Sequence, residues 1–513
     1  MKIEINEQFK KALDLMNNTK SNVFITGKAG TGKSTLLEYF RNHTKKKAVV
    51  LAPTGVAALN VKGQTIHSFF RFKPDITLDK VKKIIKKGEK NIYKQIDVII
   101  IDEISMVRAD LLDCVDSFLH LNCDKKKTAF GGKQMILFGD LYQLPPVIRG
   151  REREIFSTKY KTGYFFSAHV FANFKMELIE LMKIYRQKDE RFIEILNAIR
   201  NKTITENLLG TLNTRYDPDF KPAKDDLYIY LTTLNRLAQD LNEVQLSKIK
   251  GREYHFEGLI KGEFRESDLP TAMVLSLKKG AQAMLVNNDS SGRWVNGTVG
   301  KIADINEDDE VILIELSNGN EVEVDPYTWK IFEFTYNDKK KSIESKPKGS
   351  FTQFPVRLAW AITIHKSQGK TFNKVIIDVS RGTFTPGQMY VALSRCTNLE
   401  GIVLKQKIQK KHIFMDWRVI DFLTKYQYKI SNEKMPVEQK VEMIKDAIKT
   451  GYKIEIVYLK TKDEKSKRII EPYFVGELIY KDKPFLGVEA YCLSRKETRN
   501  FRVDRILEIN RID

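Results

Sequence analysis

Val23-Phe24-Ile25-Thr26-Gly27-Lys28-Ala29-Gly30-Thr31-Gly32-Lys33-Ser34-Thr35-Leu36-Leu37-Glu38-Tyr39-Phe40 is the stretch whose reading decides the fold. Four apolar or β-branched residues make a short buried strand, and Thr35 to Phe40 continues as helix. Between them Gly27 to Ser34 fits GxxxxGK[ST], the strand–loop–helix pattern of a phosphate-binding loop. Gly27, Gly30 and Gly32 let the backbone wrap so that N–H groups, including those of Thr31 and Thr35, face phosphates at the positive end of a helix. Lys33 is placed to reach the β- and γ-phosphates of a nucleotide and the Ser34 hydroxyl to ligate Mg²⁺. The expected fold class is therefore α/β, with ATP and Mg²⁺ as cofactors.

Two more buried strands extend the reading. Asp97-Val98-Ile99-Ile100-Ile101 ends in Asp102-Glu103. Alone, such a pair is a solvated strand end. Beside a phosphate loop, Asp102 can hold Mg²⁺ through water and Glu103 can polarise the attacking water. Met135-Ile136-Leu137-Phe138 runs into Gly139-Asp140-Leu141-Tyr142-Gln143-Leu144-Pro145-Pro146, which sets Gln143 just past a strand end where it could sense the γ-phosphate. The two prolines stiffen the loop that follows.

With Leu51-Ala52-Pro53-Thr54-Gly55-Val56-Ala57-Ala58 and Thr65-Ile66-His67-Ser68-Phe69-Phe70, these motifs stand in the order of superfamily 1 helicases of group B. The segment Glu103 to Leu119 resembles the signature of the Pif branch, so the chain is similar to Pif/RecD-like DNA helicases. The resemblance implies two RecA-like motor domains, a 5′→3′ motor on single-stranded DNA, and action on duplex, forked, G-quadruplex or RNA–DNA hybrid substrates in replication, repair or recombination. Asn6-Glu7-Gln8 looks like the adenine-reading Q motif, with Gln8 at the base. Thr54, Val56, His67 and Phe69 are implied strand contacts. Tyr185-Arg186-Gln187 is similar to motif IV and Tyr390-Val391-Ala392-Leu393-Ser394-Arg395 to motif VI, so Arg186 and Arg395 are expected to reach the γ-phosphate. Leu358 to Thr371, which contains His365-Lys366-Ser367-Gln368-Gly369, resembles motif V. Those side chains suit phosphate and sugar rather than base edges. Gly369 allows close approach at the nucleotide side, and Asn235 is an auxiliary strand contact.

The expected domains are 1A over 1–210, with a duplex-splitting wedge 1B at about 70–95, and 2A over 211–275 and 351–430. A small SH3-like 2B falls at 276–350, where Asn296-Gly297 and Ser317 to Asn320 suit hairpin turns. In the wedge, Phe70-Arg71-Phe72-Lys73 through Lys82-Lys83-Ile84-Ile85-Lys86-Lys87 interleaves rings and cations, which fits base stacking or an ordinary solvated basic helix. From 431 to 513 a helix running from Ser431 to Gly451 and several strands resemble the WYL domain of bacterial regulators. The naming tripeptide is altered there to Pro484-Phe485-Leu486. Arg499, Arg502 and Arg505 fit a nucleic-acid or nucleotide ligand, and a packing role or an ATPase gated as a ligand-sensing switch fits as well.

Composition agrees with a polyanionic partner. The net charge is +21 over 513 residues, with 18 Lys+Arg against only 15 Asp+Glu from residue 431 onward, so the excess lies on the motor part. An RNA rather than a DNA strand stays open on charge alone. The four scattered cysteines, Cys114, Cys123, Cys396 and Cys492, make no CxxC pair and are expected to be reduced. No apolar run of membrane-spanning length and no secretory leader is read, which gives the expectation of a cytoplasmic, nucleoid-associated, monomeric protein without membrane contact.

Overall fold

The computed structural model describes residues 4–84, 91–125, 127–148, 152–223, 226–337, 339–380 and 382–512. The chain divides into two compact units, one of residues 1–200 and 204–414, the other of residues 201–203 and 415–513.

In the larger unit the first six strands are β1 (Asn22–Gly27), β2 (Ala48–Ala52), β3 (Gln64–Thr65), β4 (Val98–Ile101), β5 (Gln134–Phe138) and β6 (Met176–Leu181). They form one sheet in the order β3-β2-β4-β5-β1-β6, and every pairing is parallel. Parallel strands are covered on both faces, which is why β4 and β5 are buried throughout. Helices Glu7–Asn18 and Lys33–His43 close one side through Phe9, Ala12, Met16, Leu36 and Phe40.

Fourteen further strands follow in this unit: β7 (Ile229–Thr232), β8 (Tyr254–Glu257), β9 (Leu259–Gly262), β10 (Val274–Leu277), β11 (Gln282–Leu285), β12 (Val299–Asn306), β13 (Val311–Leu316), β14 (Glu321–Val324), β15 (Tyr327–Asn337), β16 (Ser342–Gln353), β17 (Val356–Leu358), β18 (Ala361–Thr363), β19 (Val375–Asp378) and β20 (Ile402–Leu404). The second parallel sheet has the order β18-β7-β19-β20. Its core contains Phe192, Ile195, Leu208 and Leu212 together with Leu231 and Val375. Residues 190–213 thus pack on the second sheet, and the expected end of the first domain at 210 moves back toward β6.

The expected 276–350 insertion is also larger and differently built. It runs from β8 to β17 and contains three sheets, β14-β13-β12-β11-β17, β15-β16-β9 and β10-β8. The expected turns at 296–297 and 317–320 do join β11 to β12 and β13 to β14. The β15–β16 hairpin pairs with β9 instead of joining them. The parallel sheet resumes only at β18, so the expected restart at 351 falls inside β16.

In the wedge region Phe70 and Phe72 are interior, packed on Tyr93 and Phe118, and do not offer their rings to bases. Ile85, Lys86 and Lys87 of the expected wedge lie outside the described residues.

The smaller unit begins with helix Trp417–Lys434, and its second helix is Val437–Thr450. Ser431 belongs to the first helix, correcting the expected start of the second. Pro436 explains the break, because the residue before a proline is driven out of the α region, and Met435 has φ −142° and ψ 101°. Gly451, at φ +79°, closes the second helix as expected. Then β21 (Lys453–Leu459), β22 (Lys465–Tyr480), β23 (Lys483–Cys492), β24 (Glu497–Arg502) and β25 (Ile506–Ile512) make an antiparallel sheet, β24-β23-β22-β21-β25. Ile444, Ala447, Ile456, Ile470, Val488 and Phe501 form its own core. Lys440 is fully buried there and donates to Ser431 Oγ, Asn432 Oδ1 and Ile506 O.

All four cysteines are free and buried. Among the described residues no helix is long and apolar enough to cross a membrane.

Candidate functional site

The phosphate loop leaves β1 and turns through Gly30 (φ +78°) and Gly32 (φ +85°) into the helix Lys33–His43. Gly30 is demanded twice over: by its left-handed backbone, and because an added Cβ would lie 2.5 Å from Arg186 Cβ. Lys33 Nζ donates to Gly27 O (2.7 Å) and Lys28 O (3.0 Å), so the lysine folds back over its own loop. Burial lowers its pKa against the pull of Asp140 and Glu103. The Thr31 hydroxyl braces the same turn through Lys28 O at 2.9 Å. Ser34 and Thr35 stand exposed on the first helical turn.

On the base side, Gln8 Oε1 accepts from Met182 N–H at 2.9 Å. An added Cβ on Gly32 would meet the rings of Phe9 and Tyr185, and Asn6 Nδ2 donates to the Tyr185 hydroxyl at 3.3 Å. Tyr185 is 40% exposed. An open ring beside the phosphate loop suits stacking on an adenine, a role that the motif around Arg186 does not itself announce.

At the end of β4, burial and the adjacent Glu103 charge raise the Asp102 pKa to about 7. Burial raises Glu103 as well, although Lys33 and Arg395 oppose it. Two carboxyls held together out of water favour a cation, so the donor set of Ser34 and Asp102 fits Mg²⁺. Among the described residues no group of three or more His, Cys, Asp or Glu could hold a metal ion.

Gln143 is buried and donates to Asp140 Oδ2 at 3.3 Å. Asp140 is met from the second core by Arg200, at 3.3 Å, whose guanidinium lies 3.9 Å from the Tyr142 ring centroid. Arg200 therefore anchors the Gln143 loop, a role that no local pattern signals.

Arg186 Nη1 donates to Ser394 O at 3.2 Å, and Gln187 Nε2 to Ser394 O and Cys396 O. Arg395 is 1% exposed. Its guanidinium donates to Val391 O, Ser367 O, Lys370 O and Ser394 Oγ. Burial first, then Arg186, disfavours its charge. The Tyr390 hydroxyl accepts from Ala29 N–H at 2.9 Å, joining this helix to the phosphate loop.

The expected strand contacts divide. Thr54, Val56, Asn235, His365 and Lys366 are exposed, and His67 is half-buried. Three others are corrected. Phe69 is 5% exposed, packed among Phe70, Tyr93 and Phe334. Ser367 is fully buried and its hydroxyl is spent on Ile364 O at 2.7 Å. Gln368 Nε2 donates to Glu103 Oε2 at 3.1 Å and Gln143 Oε1 at 3.4 Å, so it belongs to the nucleotide cleft. Gly369 has φ +80° and no atom within 4 Å of an added Cβ, so its glycine is required by conformation and not by close packing.

The side chain of Arg357, unforeseen in the sequence, has no hydrogen-bond or ion-pair partner among the described residues, and burial disfavours its charge. It disfavours the charge of Lys366 and of Lys370, whose pKa burial and then Arg357 push down to about 8. Lys366 and Lys370 of the turn and Arg357 of β17 crowd three cations together, with Lys370 Nζ donating to Asn296 Oδ1, and such a cluster suits phosphate.

Against known proteins, residues 2–208 match the PIF1-like helicase family and residues 439–511 the WYL domain. The ATP-dependent DNA helicase Pif1 of Campylobacter jejuni is 32% identical over 438 residues, covering 79% of this chain and 95% of that protein. The chain belongs to the PIF1-like helicase family. The Pif1 of Bdellovibrio bacteriovorus is also 32% identical, over 93% of its length. The crystal structure of Bacteroides sp Pif1 in complex with ADP-AlF4 aligns at a TM-score of 0.76 and 39% identity, covering 83% of this chain and 98% of the other. Bacteroides Pif1 with ADP-AlF3 and ssDNA aligns at 0.61. For a PIF1-like helicase the two parallel sheets are the RecA-like motor domains, with the nucleotide residues lying where these face one another.

Proposed function

We propose that this ATP-dependent DNA helicase moves 5′→3′ along single-stranded DNA and separates duplex or structured DNA ahead of it, using Mg²⁺ with its nucleotide. The observation that carries the reading is the turn at 365–370. It offers His365, Lys366 and Lys370 beside Arg357 to a phosphate backbone, while its Gln368 bonds Glu103 and its carbonyls bond Arg395. One short segment thus joins a strand-binding surface to the hydrolytic carboxylate and to an arginine suited to the γ-phosphate. Lys33, Gly27, Gly30, Thr31, Gly32 and Thr35 hold phosphates, Gln8 reads the base, and Ser34 and Asp102 carry the metal. Glu103 and Gln143 orient water, and Arg186 and Arg395 balance charge developing on the transferred phosphoryl group. Each base-pair step gives up about 1.4 kcal/mol of stacking, within reach of a nucleotide-driven cycle.

The test uses forked substrates with a single 5′ or 3′ tail of DNA or RNA, and G-quadruplex and RNA–DNA hybrid variants of each. Unwinding from the 5′ DNA tail supports the reading. Unwinding confined to the 3′ tail overturns the polarity, and a preference for RNA tails overturns the DNA assignment. Elution as a monomer with and without the oligonucleotide is expected in sizing measurements.

A further inference from the structure

Between helix Ile66–Phe70, the short helix Ile92–Gln95 and the β15–β16 hairpin lies a cavity of about 260 Å³ that the nucleotide and strand sites do not use. A single water needs only about 10–15 Å³ of such space, and drug-sized clefts start near 300 Å³, so the room suits one flat heterocycle. Phe69, Tyr93 and Phe334 wall it, with centroids 5.3 Å (Phe69–Tyr93) and 6.1 Å (Phe69–Phe334) apart.

The polar lining is specific. Gln64 is 2% exposed; its Oε1 accepts from Phe334 N–H at 3.4 Å, and its Nε2 donates to no acceptor among the described residues. Gln64 lines the open space, so its amide donor is available to an occupant. Glu333 lines the same space, with its carboxylate 3.5 Å from Arg71 Nη2 at a half-exposed edge.

We propose that this cavity binds a guanine base. An amide donor and a carboxylate that line one space match a carbonyl acceptor followed by two adjacent N–H donors. Among the four bases, guanine alone presents that run, O6 beside N1–H and N2–H₂, so that Gln64 Nε2 serves O6 and Glu333 accepts from both nitrogens. Thymine has one N–H between two carbonyls, and cytosine and adenine offer one amino group beside an acceptor nitrogen. The half-buried Phe334 ring supplies stacking, and Arg71 can keep a phosphate at the edge. The base comes from a strand or from a free nucleoside; only the first source rests on the DNA-tracking function.

The experiment measures binding of the full chain, without nucleotide, to labelled oligothymidylates carrying one central deoxyguanosine, deoxyinosine, thymidine or abasic site. Guanine is expected to tighten binding about tenfold over thymine, with inosine, which lacks the N2 amine, in between. Gln64→Leu and Glu333→Gln remove that preference, while all-thymine affinity and ATPase stimulation by all-thymine DNA stay unchanged. Deoxyguanosine nucleoside, which has no phosphate for the Lys33 loop, is added as competitor. If it erases the preference the site takes the free base; if it does not, the site takes strand-borne guanine. Equal affinities for all four oligonucleotides, with no thermal protection by deoxyguanosine, show a cavity that holds only water and overturn the proposal. Fork unwinding on thymine tails, run alongside, tells that failure apart from failure of the helicase function.

Discussion

At the scale of single residues, charge placement in the cleft sets the expectations. Arg395→Ala removes a cation aimed at the transferring phosphoryl group, so single-strand-stimulated ATP hydrolysis should fall by about 10³-fold or more. Lys33→Ala should lose hydrolysis similarly; DNA unwinding by either protein would refute the assigned roles. Lys370 gives a pH signature. Its pKa is held near 8 in the folded chain, below the ordinary 10.5, so the ammonium is lost as pH rises through about 8. Single-strand affinity should therefore weaken between pH 7 and 9, and Lys370→Arg should flatten that profile in anisotropy titrations. The stability sign is opposite: between about 8 and 10.5 the unfolded chain holds the extra proton, so this group favours folding more as pH rises. The phosphate-loop residues were readable from sequence because their chemistry sits in eight consecutive positions. Arg200, Arg357 and the inward Phe69 were not, because each acquires its role from a residue on another element, which no local pattern announces.

For elements, burial on both sides of a parallel sheet governs the cost of change. Leu231 in β7 is fully buried and lies between β18 and β19. Leu231→Ala should lower unfolding free energy by about 2–5 kcal/mol, read as a reduced urea midpoint with an unchanged slope. An unchanged midpoint would mean that the sheet repacks around the gap. Apolar runs such as Val98–Ile101 announce such strands plainly. The β15–β16 hairpin was missed as a separate sheet because its residues are largely half-exposed and Pro347 and Gly349 interrupt the alternation. Its partner, β9, pairs from about 90 residues earlier, beyond the reach of local pattern. Pro436 suits the first turn of a helix, but the helix that ends just before it, Trp417–Lys434, was not foreseen.

Across the whole molecule the two units have separate cores, one of them built on Ile444, Ile456 and Phe501. Calorimetry should resolve two transitions. ADP with Mg²⁺ at about 100 times its Kd should stabilise one of them by about 2.7 kcal/mol and leave the other in place. A single transition that moves as a whole would show the units to be thermodynamically coupled.

The buried cysteines offer an opening for measurement. None of the four thiols is on the surface, and burial pushes those of Cys114 and Cys396 up to about 12 and about 11. Burial of all four should leave the unaltered protein nearly silent to maleimide dyes, including Cys492, whose pKa is lowered, against the effect of burial, by hydrogen bonds with Ser494 and Arg468. One cysteine placed at the tip of the β22–β23 hairpin, where Ile479 is 74% exposed, and another at Val56 would carry a fluorophore pair without prior removal of native thiols. Single-molecule distance traces could then be recorded on an otherwise wild-type chain.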